Sequence, residues 1–159
     1  MSDLDFKGAV EDIRGAARFL KENGSKKVAV IGFCMGGALS FAAAYNVEEL
    51  SCAVPCYGTA PNELCDYSKL KLPIQAHFGE NDNHKGFSDP ETVDKVEAQM
   101  KESSSDFVIH RYPSVGHAFL NDTESAIKRK KDLGMGEHDA EAVKLAWERI
   151  FSFFEKHLA

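Results

Sequence analysis

The chain has 159 residues, 43% hydrophobic and 28% charged, with a formal net charge of −6, the balance of one folded domain and not of a disordered or fibrous chain. The acidic excess, with no basic run longer than the KRKK at Lys128 to Lys131, argues against nucleic acid as a partner and places that run on a solvated surface. No stretch approaches the ~20 apolar residues of a membrane span, and the opening MSDLDFKG lacks the basic and apolar regions of a secretory signal, so the expected location is cytoplasmic.

Phe6, Val10, Ile13, Ala17 and Leu20 recur at helical intervals, Asp5 can cap the start and Gly24 follows the end, so residues 6–22 are predicted to form an amphipathic helix. Lys26 to Phe33 (KKVAVIGF) is a short β-branched run, as expected of a strand covered on both faces. Residues 35–45 (MGGALSFAAAY) are small and apolar almost all round, which suits a helix buried against a sheet. Further strands are predicted at Ser51 to Tyr57, Pro73 to Phe78 and Phe107 to Tyr112, each bounded by Gly, Pro, Asp or Ser. Asp89 followed by Pro90 starts a helix to about Lys101, with Val93, Val96 and Met100 facing inward. A last helix from about Asp139 to His157 has Val143, Trp147, Ile150, Phe151, Phe154 and Leu158 as its apolar face.

Helices alternating with short buried strands predict a single α/β domain over residues 1–159, with a mostly parallel sheet of about four strands and flanking helices. No repeat or linker interrupts it, and Glu102 to Ser105 (ESSS) joins helix to strand at the surface. Cys52 and Cys56 share a strand, where four residues span ~13 Å, too far for a disulfide and the wrong geometry for zinc. These two are expected to be core residues, and all four cysteines, Cys34 and Cys65 included, to be reduced.

The segment Gly32-Phe33-Cys34-Met35-Gly36-Gly37 lies between a strand and a helix, the context that gives a G-x-nucleophile-x-G pattern its meaning. A sharp turn there holds the nucleophile in strained backbone geometry, and glycines are expected on both sides where a Cβ would clash. Cys34 would stand at a helix N-terminus, where N–H groups favour negative charge, and the Met35 N–H would be one donor of an oxyanion hole. Asp82 follows the third strand and His117 the fourth, so a parallel sheet would bring all three loops to one rim. Their chain order, nucleophile then acid then His, is that of α/β-hydrolases. Asp89 is the rival acid but suits a helix cap, and His84 flanks the same loop. His77 in mid-strand is expected to be a satisfied packing residue, and His110 to face solvent or a covering helix.

Together GFCMGG, FGEND and VGHAF resemble the dienelactone hydrolase family, whose nucleophile is cysteine. The resemblance spans nearly the whole chain. It implies an α/β-hydrolase fold, a triad of Cys34, Asp82 and His117, no metal or organic cofactor, and a small carboxylic ester or enol-lactone as substrate. It also implies about four more strands ahead of the first helix, carrying a second oxyanion N–H, a glutamate near the nucleophile and an arginine for an anionic substrate. A second arginine expected after the triad His is replaced here by Asn121, in GHAFLN. Without those strands Lys26 to Phe33 becomes an exposed sheet edge, through which the chain would self-associate unless it is part of a longer protein. Two other functions fit less of the pattern: a non-catalytic fragment or interaction module that retains the triad, and a thiol redox sensor built on Cys34, against which the absence of a CxxC motif argues.

Overall fold

The computed structural model describes residues 5–159. Helix α1 (Phe6–Glu22) opens on Asp5, whose carboxylate accepts the Gly8 N–H at 2.9 Å, and ends before Gly24 at φ +103. Strand β1 (Ala29–Phe33) leads into α2 (Met35–Asn46), followed by β2 (Cys52–Cys56) and β3 (Ile74–Gly79). Helix α3 (Pro90–Met100), capped by Asp89, returns to β4 (Phe107–Tyr112). Two helices complete the chain, α4 (Glu124–Asp132) and α5 (Ala140–Leu158).

All four strands are parallel, in the spatial order β1-β2-β3-β4. Among the described residues strand β1 therefore has one neighbour, as the sequence led us to expect. Register levels the carboxyl ends: Phe33 lies opposite Cys56, and Gly79 opposite Tyr112. The loops that follow the strands consequently share one rim, the place where open α/β sheets bind ligands.

Each face of the sheet has its own core. On one, α1, α2 and α3 bury Val10, Ala17, Phe41, Val93, Val96 and Met100 against Ala53, Ile74 and Ala76. On the other, α5 covers Cys52, Val54 and Cys56. The buried stripe of α5 is Ala142, Val143, Ala146, Ile150 and Phe153, with Trp147 and Phe154 half-buried. This corrects the predicted face, because Phe151 is 64% exposed and Leu158 is also exposed. Ala142 and Ala146 are part of the core cluster that contains Cys52, Val54 and Cys56, while Phe151 faces solvent.

Helix α4 was not foreseen, and it overturns the reading of the KRKK run. Lys128, Arg129 and Lys131 are exposed, but Lys130 is 7% exposed and its ammonium donates to the carbonyls of Ala118 and Phe119 at 3.3 and 3.4 Å. Burial lowers the Lys130 pKa, and Asp122 partly opposes the shift. Lys130→Met leaves those two carbonyls without their donor, so it is expected to lower stability by about 1–2 kcal/mol, read as a reduced urea midpoint. Lys128→Met, on the exposed flank, should change it by less than about 0.5 kcal/mol.

His77, fully buried in β3, is satisfied as expected: Nε2 donates to Gln75 Oε1 at 3.0 Å and Nδ1 accepts from the Tyr112 hydroxyl at 2.9 Å. His110 is half-buried and packs against it, with ring centroids 5.3 Å apart. Burial, then the proximity of His110 and Arg149, pushes His77 down to about 3 from 6.5. In that interval the unfolded chain binds a proton that the folded chain refuses, so this contribution to stability is complete above about pH 6.5 and is lost progressively below it. Denaturation midpoints should therefore fall between pH 7 and pH 5, and fall less in His77→Gln.

Candidate active site

Cys34 caps the start of α2 with φ 56 and ψ −117. Its N–H donates to the Cys56 carbonyl at 3.0 Å, and its own carbonyl accepts from Gly37 and Ala38. Three non-glycine residues among those described have positive φ: Cys34, Tyr57 (φ 39) and Ala118 (φ 56). All three lie on the carboxyl rim, and such conformations cost about 1–3 kcal/mol each and cluster where function demands them.

The spacing of glycines differs from the sequence reading. A Cβ on Gly32 would overlap the Gly36 carbonyl oxygen and stand 2.5 Å from Ser40 Oγ, so the first glycine is required. Gly36 itself faces open space. The second constraint falls instead on Gly37, where a Cβ would lie 3.1 Å from the Cys56 carbonyl carbon, and on Gly58, where it would lie 2.9 Å from the carbonyl carbon of Cys34. The turn is thus wedged against the end of β2, which fixes where the Cys34 side chain emerges.

The loops after β3 and β4 bring two more groups to that point. His117 Nε2 is 3.1 Å from Cys34 Sγ, and His117 Nδ1 is 2.7 Å from Asp82 Oδ2. The Asp82 side chain is fully buried and His117 is 4% exposed. Burial alone pushes the Asp82 carboxyl up. Hydrogen bonds from His117 and the His84 N–H, the charge of His117 and the Ser88 hydroxyl outweigh it, and hold Asp82 below the usual carboxylate range. As an ionised acceptor, Asp82 requires the His117 proton on Nδ1, which leaves Nε2 free to face the sulfur. Met35 begins α2 directly after Cys34.

Asp89 stays apart, its carboxylate taken by the N–H groups of Gly86 and Thr92 and by the Thr92 hydroxyl. Ser88 escaped notice in the sequence, where a loop serine carries no signal; it is fully buried with Oγ 3.2 Å from His117 Nδ1. His84 is closer to the chemistry than its flanking position suggested, with Nδ1 3.0 Å from Asp82 Oδ1. Donor atoms of Asp82, His84 and His117 all lie within 4.8 Å of one another, so this is the cluster among the described residues able to hold a metal ion. Tyr57 packs edge-on against the His117 ring at 5.4 Å, and Phe87 lies 6.2 Å from it on another side.

All four cysteines are free. Cys34 is half-buried, whereas burial pushes the thiols of Cys52, Cys56 and Cys65 up, Cys52 to about 11. Met35 and Phe87 also border a cleft of about 350 Å³ whose walls include Thr59, Val96 and Gln99. A cleft of about 480 Å³ opens at the other end of β3 and β4, beside Ile74, Phe107 and α5, away from these groups.

The profile of the dienelactone hydrolase family matches residues 2–158. The chain belongs to the dienelactone hydrolase family. It is 29% identical over 147 residues to a Saccharolobus solfataricus protein named as a carboxymethylenebutenolidase, covering 92% of this chain and 51% of that one. Protein usf of Aquifex pyrophilus is 30% identical over 160 residues, covering 98% of this chain and 61% of its own. The chain thus spans about half the length of the first of these relatives and somewhat more of the second. A crystal structure from Klebsiella pneumoniae, named as a dienelactone hydrolase, superposes with a TM-score of 0.77 at 20% identity, over 97% of this chain and 63% of that one. An α/β-hydrolase from a deep-sea metagenome gives 0.70 at 15% identity, over 94% and 64%. At such identities the likeness establishes the fold, an α/β-hydrolase sheet with flanking helices. Among the described residues no helix is long and apolar enough to cross a membrane.

Proposed function

We propose that the chain hydrolyses a small carboxylic ester or enol-lactone, with Cys34 as nucleophile, His117 as proton carrier and Asp82 as the group that orients it. The observation that carries this reading is the unbroken series from Asp82 Oδ2 to His117 Nδ1 at 2.7 Å and from His117 Nε2 to Cys34 Sγ at 3.1 Å. Family membership and relatives named as carboxymethylenebutenolidases support the class of substrate.

In the first half-reaction the thiol proton passes to His117 Nε2 while the sulfur electron pair forms a C–S bond to the carbonyl carbon. The carbonyl electrons move onto oxygen, to which the Met35 N–H, at the start of α2, donates in this reading. Collapse expels the alcohol or enol oxygen, which takes the proton from His117, and an acyl-Cys34 thioester remains. In the second half-reaction water gives a proton to His117 and its oxygen bonds to the acyl carbon. The C–S bond then breaks, the sulfur recovers its proton, and the acid leaves. No step requires a metal, so a chelator should leave the rate unchanged.

The test is a panel of aryl acetates and unsaturated lactones, with acid-quenched protein examined by mass spectrometry during turnover. Repeated turnover with an acyl group on the Cys34 peptide is the expected result. Rapid alkylation of Cys34 by iodoacetamide, with no hydrolysis of any member of the panel, would overturn it in favour of a thiol sensor or a non-catalytic module.

A further inference from the structure

We propose, on the triad reading above, that Lys130 is a positioning residue for the hydrolysis: from the last turn of α4 it brackets the loop that carries His117 and holds the imidazole against Cys34.

Helix α4 buries one residue, Lys130, at a position that an apolar side chain would fill at lower cost than a desolvated ammonium. Its neighbour Lys128 behaves as a surface residue does, bonding Asp132 at 2.6 Å with both side chains exposed. Lys130 makes no ion pair among the described residues; its ammonium goes to the carbonyls of Ala118 at 3.3 Å and Phe119 at 3.4 Å, the first two after His117. What those bonds secure is strained backbone. Ala118 has φ 56, a conformation that an alanine leaves for negative φ when nothing prevents it. That relaxation would turn the peptide plane next to His117 and swing its ring. The Asn121 N–H also bonds the Ala118 carbonyl, at 3.0 Å, but from within the same loop. Lys130 supplies the tie to a separate element.

The same segment holds the other side of His117. Helix α4 ends in a turn where the Met135 N–H donates to the Lys130 carbonyl at 2.9 Å and Gly134 has φ 63. That turn lays Met135 and Gly136 on Gly116. A Cβ on Gly116 would overlap the Met135 carbonyl oxygen, and one on Gly136 would stand 2.8 Å from the Gly116 nitrogen. Lys130 is thus the junction of both contacts: its side chain takes the two carbonyls after His117, and its own carbonyl anchors the turn seated on the residue before it. Between these two grips His117 meets Asp82 at 2.7 Å and Cys34 at 3.1 Å. A displacement of about 1 Å at such contacts costs on the order of 10²-fold in rate. A small ester binds none of the bracketed backbone groups, so the effect belongs to kcat and not to KM.

The experiment measures kcat and KM for 4-nitrophenyl acetate, and the rate of Cys34 alkylation by iodoacetamide, on the full chain at one neutral pH. Lys130→Met should lower kcat by about tenfold or more, change KM by less than about twofold, and slow alkylation of Cys34 by about threefold or more. Partial unfolding would look different, because Cys52, Cys56 and Cys65, all fully buried, would then take label as well. Val10→Ala removes buried volume from α1 and touches no part of the bracket, so it controls for lost stability and should keep the wild-type kcat. Glycine adopts φ 56 without strain, so in an Ala118→Gly background the further change Lys130→Met should lower kcat by less than about threefold. Equal kcat in Lys130→Met and Val10→Ala overturns the proposal, and so does the same tenfold loss with and without Ala118→Gly. Failure of the triad reading is distinguishable: the wild type would then hydrolyse no ester and His117→Ala would leave Cys34 alkylation unchanged. If His117→Ala slows both reactions and Lys130→Met slows neither, only the role of Lys130 is lost.

Discussion

Cys34→Ala is expected to lower kcat/KM for an aryl acetate by at least about 10³-fold, and His117→Ala to do nearly the same, because in the proposed reaction each removes one half of a single proton-and-electron-pair transfer. The double variant should be no worse than the poorer single one. Additive losses would mean that sulfur and imidazole act independently, contrary to their 3.1 Å contact. Loss of folding is not the cause to expect. Cys34 is at the rim and only half-buried, alanine keeps the same Cβ at φ 56, and all three hydrogen bonds described at Cys34 in the turn are made by its backbone. Thermal midpoints of Cys34→Ala and the wild type should therefore agree within about 2–4 °C. Selective labelling offers a parallel check on the wild type. Cys52, Cys56 and Cys65 are fully buried with thiols shifted away from ionisation, so one equivalent of iodoacetamide should be found on Cys34. A variant lacking Cys34 that keeps a tenth of the activity would transfer the chemistry to some other group.

The parts of this molecule that follow a strong period or a punctuating residue were legible before any coordinates. Helix α1 has the predicted bounds because Asp5 supplies the cap and its apolar residues form one stripe. The strands are short β-branched runs stopped by Gly, Pro and Asp; β1 enters its ladder at Ala29, and the bounds of β2 and β3 differ from the expected ones by one residue at each end. Helix α4 was hidden because its single buried residue is a lysine, and no hydropathy pattern announces an ammonium folded onto carbonyl oxygens. The α5 face was misjudged because residue size outweighed angle: Phe151 is the larger apolar group, yet Ala146 is the one against the sheet. Sequence order put Cys34, Asp82 and His117 on one rim, where the structure also brings them together, since a parallel sheet leaves little choice of where loops emerge. It could not reveal the auxiliary groups. Ser88 reaches His117 at 3.2 Å because one loop folds over another, and His84 reaches Asp82 at 3.0 Å through a tight turn within its own loop.

Gly32→Ala is expected to destabilise the protein by about 3 kcal/mol or more, because the added carbon meets backbone and not the yielding end of a side chain. Its Cβ would overlap the Gly36 carbonyl in the first turn of α2 and press on Ser40 Oγ, which is itself bonded to that carbonyl at 2.8 Å. Relief requires the helix to move away from β1, and α2 cannot do so freely, since Gly37 is already seated against the Cys56 carbonyl. A fall in thermal midpoint of about 6–12 °C is the corresponding observation for a chain of this size. Gly36→Ala is the informative partner. It changes the other glycine of the motif, meets nothing within 4 Å, and adds a better helix former to the first turn of α2, so stability should be unchanged or rise by up to about 1 kcal/mol. Equal destabilisation by the two substitutions would show that both glycines serve backbone freedom. The unequal result expected here assigns the constraint to close packing of β1 on α2, the same packing that holds Cys34 up to the rim.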